Sequence, residues 1–269
     1  MITKEISDII KSKKSIIIMI LVTFIPFIDF GINVWMCLGD YWLNPEAYPN
    51  GLPSWLYHPS YAAFLSGSSE GHIAQMLLVW LLPFYLLILY GDSYMKEREI
   101  GYHSIIKTRE SPKTVYICKL LTGFISGFSV IWFSMIINYV LCLFTFFNGR
   151  SFGGIEEFLE QLPAGLISLS IQSPIMTYIV YIFVFSVISG FYCMTCVALS
   201  FCIKSQKILY SICFAVWFLQ IISPYSITYA IQPFIEYGMR EIVPALIIFS
   251  SINVVVVSCC LYKVCNEEI

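Results

Sequence analysis

Charge is excluded from most of this chain, and that exclusion constrains the fold more than any other feature. Six apolar runs, at about 15–38, 73–90, 117–147, 174–203, 208–222 and 244–262, hold almost no Asp, Glu, Lys or Arg. A membrane-crossing helix needs about 20 mostly apolar residues. Only 12% of the residues are charged, against roughly 25% in a soluble domain. The reading is an all-α polytopic membrane protein with six transmembrane helices. Little chain is left between the runs, so residues 1–269 are read as one transmembrane domain.

The basic residues orient it. If the N-terminus lies inside, thirteen of the fifteen Lys and Arg residues fall in inner segments, leaving Arg150 and Arg240 outside. The positive-inside rule then puts both termini and the stretch Gly91–Lys119 in the cytoplasm.

That stretch organises the rest. It carries Lys96, Arg98, Lys107, Arg109, Lys113 and Lys119 together with Asp92, Glu97, Glu99 and Glu110. It is long enough for a short helix, a break and a second helical start. Gly101 interrupts the first piece. Ser111-Pro112 supplies the restart, since Ser caps a helix and Pro is tolerated at its first position. Residues 91–116 are therefore read as a cytoplasmic helical hairpin.

Ahead of the first run, Ile2, Ile6, Ile9 and Ile10 share one helical face, with Lys4, Glu5, Asp8 and Lys11 off it. Residues 1–14 suit a helix lying in the inner interface. The first run has no small-residue cleavage site after it and is expected to be retained. It contains Asp29, the only acidic residue inside any span. Such a carboxylate either lines a substrate or proton path or is a water-exposed or hydrogen-bonded structural group. Asn33, Asn138 and Asn253 are the other candidate lining residues, and Gln220 is a further polar residue within a span.

Residues 39–72 form an outer loop rich in Trp, Tyr and Pro, as interfacial segments are. Gly123 and Gly127 form a GxxxG, which permits close helix contact within the chain or between subunits. Phe158, Leu162, Leu166, Ile167 and Leu169 suggest an interfacial helix outside. Pro224, Pro233 and Pro244 divide residues 223–243 into two short pieces, read as a broken re-entrant helix pair between spans five and six.

Catalytic signatures are missing. There is no GxxxxGK[ST], so the chain does not by itself form a phosphate-binding ATPase loop, and no GxSxG or HExxH. Cys193 and Cys196 have CxxC spacing inside an apolar run with no second pair nearby, and are read as packing residues. His58 and His72 have no metal-ligand spacing. No catalytic residue, metal site or nucleic-acid partner is assigned.

The order of parts resembles the permease subunit of ABC transporters of the type-2 superfamily, the type V exporter fold, over essentially the whole chain. The loop carries the resemblance through Glu97 or Glu99, Gly101, Ile105-Ile106, Ser111-Pro112, Tyr116 and Lys119. The resemblance implies that Tyr94 to Arg109 is a coupling helix docking on an ATPase. Tyr94, Glu97, Glu99, Gly101, Ile105, Ile106 and Arg109 would carry that contact. It implies two ABC ATPase subunits, which bind the ATP and Mg, and a second permease copy, identical or similar. No cofactor is expected in this chain. The expected location is the plasma membrane of a bacterial cell. The nearly uncharged, aromatic-rich spans suit an amphiphilic cargo, and small permeases of this kind suggest a hydrophobic or antimicrobial peptide, as in lantibiotic immunity. Polysaccharide, lipid and drug export stay open. So does a scaffold, sensor or channel working without ATP. The outer segments 39–72 and 148–173 are longer than a minimal permease needs.

Overall fold

A computed structural model describes residues 2–48, 56–66, 73–101, 111–155, 166–235 and 237–267, and these contain helices and no strand. Helix α1 (Ile2–Lys11) stops at Ser12, whose side chain caps α2 (Lys13–Leu43). One turn, α3 (Pro59–Ala62), precedes α4 (Ile73–Trp80) and α5 (Leu82–Leu86), which runs on as a π turn over Leu87–Gly91. Short α6 (Ser93–Glu99) follows, then the long α7 (Pro112–Thr145). Short α8 (Leu166–Gln172) leads to α9 (Pro174–Cys202), α10 (Gln206–Ile222) and α11 (Met239–Glu267).

Helices α2, α7, α9 and α11 are long and apolar enough to cross a membrane, and the bent pair α4–α5 is a fifth when counted as one broken span. This is the architecture of a multi-pass membrane protein. The outward faces are apolar, with Ile17, Ile20, Phe24, Phe133 and Phe144 exposed. The seams hold small and polar residues such as Ser126, Ser134, Ser186 and Ser189. Without a hydrophobic drive between helices in lipid, packing and hydrogen bonds hold such seams together. The 17 residues of α10 span only about 26 Å, just under the ~30 Å hydrocarbon core.

Two prolines shape the bundle by freeing carbonyls. Pro83 has no N–H for the carbonyl of Val79, four residues earlier, and the pair α4–α5 bends there by 53°. The indole of Trp217 on α10 donates to that orphan carbonyl at 2.8 Å. Pro26 likewise frees the carbonyl of Val22 inside α2, and the Ser134 hydroxyl of α7 donates to it at 2.9 Å. Trp217→Phe keeps most of the packed ring and leaves the Val79 carbonyl unsatisfied. That variant is expected to lose about 1–3 kcal/mol, read as an earlier melting transition in detergent. An unchanged transition would mean that the bond contributes nothing.

The largest helix–helix seam joins α7 to α9. Gly123 and Gly127 lie in it against Val197, Cys193 and Ser189, so the GxxxG serves contact within the chain.

Residues 223–243 differ from the expected pair of helices. The described part contains a single 3-10 turn, Ile227–Ala230, capped by Ser226. Phe234 takes a left-handed φ of 60°, which stops helix propagation. Helix α11 then begins at Met239, five residues before Pro244. A side-chain cap starts it early: Gly238 N–H donates to the Glu241 carboxylate at 2.9 Å, one half of a capping box. Much of the expected outer helix, residues 156–165, lies outside the described residues.

Candidate functional site

At one end of the bundle four elements meet on one lysine. Lys119, in the second turn of α7, has no solvent exposure. Its ammonium donates to Glu97 of α6 at 2.7 Å and to Glu5 of α1 at 3.2 Å. The Tyr90 hydroxyl, on the π turn, donates to the other oxygen of Glu5 at 3.0 Å. A lone buried ammonium would be prohibitively costly. Two carboxylates and a phenol make this one tenable and tie α1, the π turn, α6 and α7 together.

A second anchor fixes the start of α6. Asp92 is buried and accepts from Lys96 at 2.5 Å, from Gln206 at 3.2 Å and from the Tyr210 hydroxyl at 3.1 Å. The Arg98 guanidinium donates to the Ile203 carbonyl at 3.3 Å. Between the anchors Tyr94 packs edge-on to Phe201, ring centres 4.8 Å apart, with Tyr116 beside both. Helix α6 thus cannot tilt without moving α7 and the α9–α10 turn. It ends at Ile100, 78% exposed, and at Gly101, whose φ of +74° suits a residue without a side chain.

The predicted hairpin residues divide. Tyr94 and Glu97 face inward and hold α6 in place. Glu99 and Gly101 are exposed. Ile105, Ile106 and Arg109 lie outside the described residues. Ser111 caps α7 as expected, its hydroxyl accepting from the Thr114 N–H at 3.4 Å.

Burial raises the Glu97 carboxyl above the ordinary carboxylate range, and Lys119 opposes the shift. Glu5, Asp8, Lys119 and Tyr90 are the charged or titratable groups acting with it. The folded state therefore holds this proton longer than the unfolded chain does. Its contribution to stability is full below the ordinary carboxylate range and is lost as pH rises through the raised value. The melting temperature of the wild type relative to Glu97→Gln should fall as pH rises from the ordinary carboxylate range toward neutrality. A difference that rises over that range would contradict this assignment.

At the opposite end, residues 56–66 enter the bundle as single turns, α3 and a 3-10 turn at Phe64–Ser66, joined by non-helical backbone. Irregular backbone survives at membrane depth only when protein satisfies its polar groups. Here side chains do so. Phe64 N–H donates to Asn138 at 3.1 Å, and Leu65 N–H to the Tyr178 hydroxyl at 3.1 Å. The Leu65 carbonyl accepts from Gln75 at 2.9 Å, and the Ala62 carbonyl from Asn33 at 3.0 Å. Asn33 also donates to Asp29 at 3.4 Å, and Asn138 donates to the Pro26 carbonyl at 2.9 Å. Three of the four candidate path residues are thus brought together, around this plug. Asn253 is not among them; it accepts from Thr195 at 2.7 Å on the seam between α9 and α11. Cys193 and Cys196 are wholly buried. Among the described residues no group of His, Cys, Asp or Glu is arranged to hold a metal.

No family model and no solved structure matches the chain. The uncharacterized protein YybM of Bacillus subtilis strain 168 is 30% identical over 254 residues, covering 94% of both chains. The chain belongs to the YybM family. Kinship with YybM supplies a family and a bacterial relative, and no activity.

Proposed function

We propose that this chain is the membrane subunit of an ATP-driven exporter resembling the type-2 ABC permeases. The observation that carries this reading is the rigid connection of α6 to the rest of the bundle. Through Lys119, Glu97 and Glu5 a push on the exposed tip at Glu99 and Ile100 reaches α1 and α7 together. A device that turns a partner's movement into helix tilt needs such a coupling.

In this reading the lysine-rich end is cytoplasmic, α10 is a sixth, slightly short crossing, and both termini are inside. Two ATPase subunits bind ATP and Mg and grip the hairpin of each of two permease copies. The cargo is amphiphilic, a hydrophobic or antimicrobial peptide suiting spans with few charges. The polar plug around Asp29, Asn33 and Asn138 closes the outer end of the resting state.

A photo-crosslinking residue placed at Ile100 should capture an ABC ATPase of the source organism, and one at buried Tyr94 should not. Glu99→Lys should reduce the captured ATPase on the order of tenfold while leaving the melting temperature unchanged. Capture of no ATPase from Ile100 would remove the coupling role.

A further inference from the structure

Helix α1 has two faces with different partners. One is fastened inward: Ile9 is buried, and Glu5 is held by Lys119 and Tyr90. The other side, continuing into the first turn of α2, exposes Lys11, Lys13 and Lys14 between exposed Ile10 and Ile17. Asp8 is exposed one turn back from Lys11 and is the nearest acidic residue in sequence. Helix stability gives no reason for Lys13 and Lys14 at the start of α2, because cations there oppose the helix dipole. Three ammonium groups within four residues, flanked by exposed isoleucines at the edge of an apolar bundle, complement a layer of anionic headgroups over acyl chains.

We infer that this basic edge binds anionic phospholipid, and that the bound lipid acts on the hairpin through Glu5. Glu5 and Glu97 share the single ammonium of Lys119. Headgroups that pin α1 therefore hold Glu5 on Lys119, and Lys119 in turn holds α6. Linkage makes the effect reciprocal: a partner that fixes α6 tightens lipid binding at α1.

The test is hydrogen–deuterium exchange on the full chain in nanodiscs of phosphatidylcholine, with and without one quarter phosphatidylglycerol. Nanodiscs offer the same lipid on both faces and no ATPase, so the result is independent of the orientation and exporter function proposed above. Phosphatidylglycerol should slow exchange on the order of fivefold in 2–11 and in 93–100. The triple variant Lys11→Gln, Lys13→Gln, Lys14→Gln, which alters exposed positions only, should lose both effects. Glu5→Gln should keep the effect in 2–11 and lose it in 93–100. Indifference of the wild type to phosphatidylglycerol, or persistence of its effect in the triple variant, would overturn the lipid site. Persistence in 93–100 of Glu5→Gln would overturn the link to the hairpin.

Discussion

Lys119→Met is expected to destabilise the membrane domain by about 3–5 kcal/mol, the largest effect of any single substitution at the hairpin end. The methionine fills most of the same space, so the loss is electrostatic. Glu97 and Glu5 are left at 18% and 13% exposure without their ammonium. The low end of that range is the better expectation, since both carboxylates keep some contact with water. Tryptophan fluorescence during thermal unfolding in detergent would read the loss. The triple variant Lys119→Met, Glu5→Gln, Glu97→Gln should recover most of it, because an uncharged cluster has nothing left unpaired. A wild-type melting curve for Lys119→Met alone would refute the node as a structural element.

Gly127→Leu is expected to separate α7 from α9 and prevent a stable fold, with Gly127→Ala already costing about 1–3 kcal/mol. A Cβ at Gly127 would lie 2.7 Å from the Cys193 Cβ and 2.8 Å from the Ser189 carbonyl oxygen. Neither atom can retreat without moving the α9 backbone. Gly190, across the seam, meets the Phe124 carbonyl oxygen at 2.9 Å and should behave alike. Gly123 is a milder case, because its added methyl meets the tip of the Val197 side chain at 2.9 Å. Gly31→Ala, with nothing within 4 Å, is the neutral control. Size-exclusion profiles of the four alanine variants, extracted in one detergent, give the ranking. Equal yields for Gly127→Ala and Gly31→Ala would mean that the seam relaxes freely.

The parts legible in the sequence were those written in local chemistry. The Ser111-Pro112 start of α7, the start of α9 at Pro174 and the amphipathic α1 each rest on neighbouring residues, and each is where it was expected. Lys119 was readable only as a charge flanking a span, because its partners are 22 and 114 residues away. One signal was available. A lysine between Cys118 and Leu120, inside a helix already begun at Pro112, needs either a path to water or a buried counter-ion. Asn33, Asn138 and Gln75 illustrate the converse. Polar residues in apolar runs do mark something, but whether they face a path or bracket an irregular segment depends on where residues 56–66 fold. No periodicity in that aromatic, proline-bearing loop encodes its entry into the bundle. The early start of α11 was hidden for a similar reason: three prolines suggested breaks, while the cap from Glu241 to Gly238 outweighed the one at Pro244.

We propose that a separate ATPase drives this bundle through α6. The most direct measurement is ATP hydrolysis by the chain co-expressed with an ABC ATPase of its source organism, purified as a complex into nanodiscs. The expected result is a stable complex whose hydrolysis rises with an amphiphilic peptide and whose stimulation is abolished by Lys119→Met together with its two carboxylate partners' replacement. A chain that purifies alone as a defined oligomer, binding none of those ATPases, would contradict it and favour a scaffold or channel.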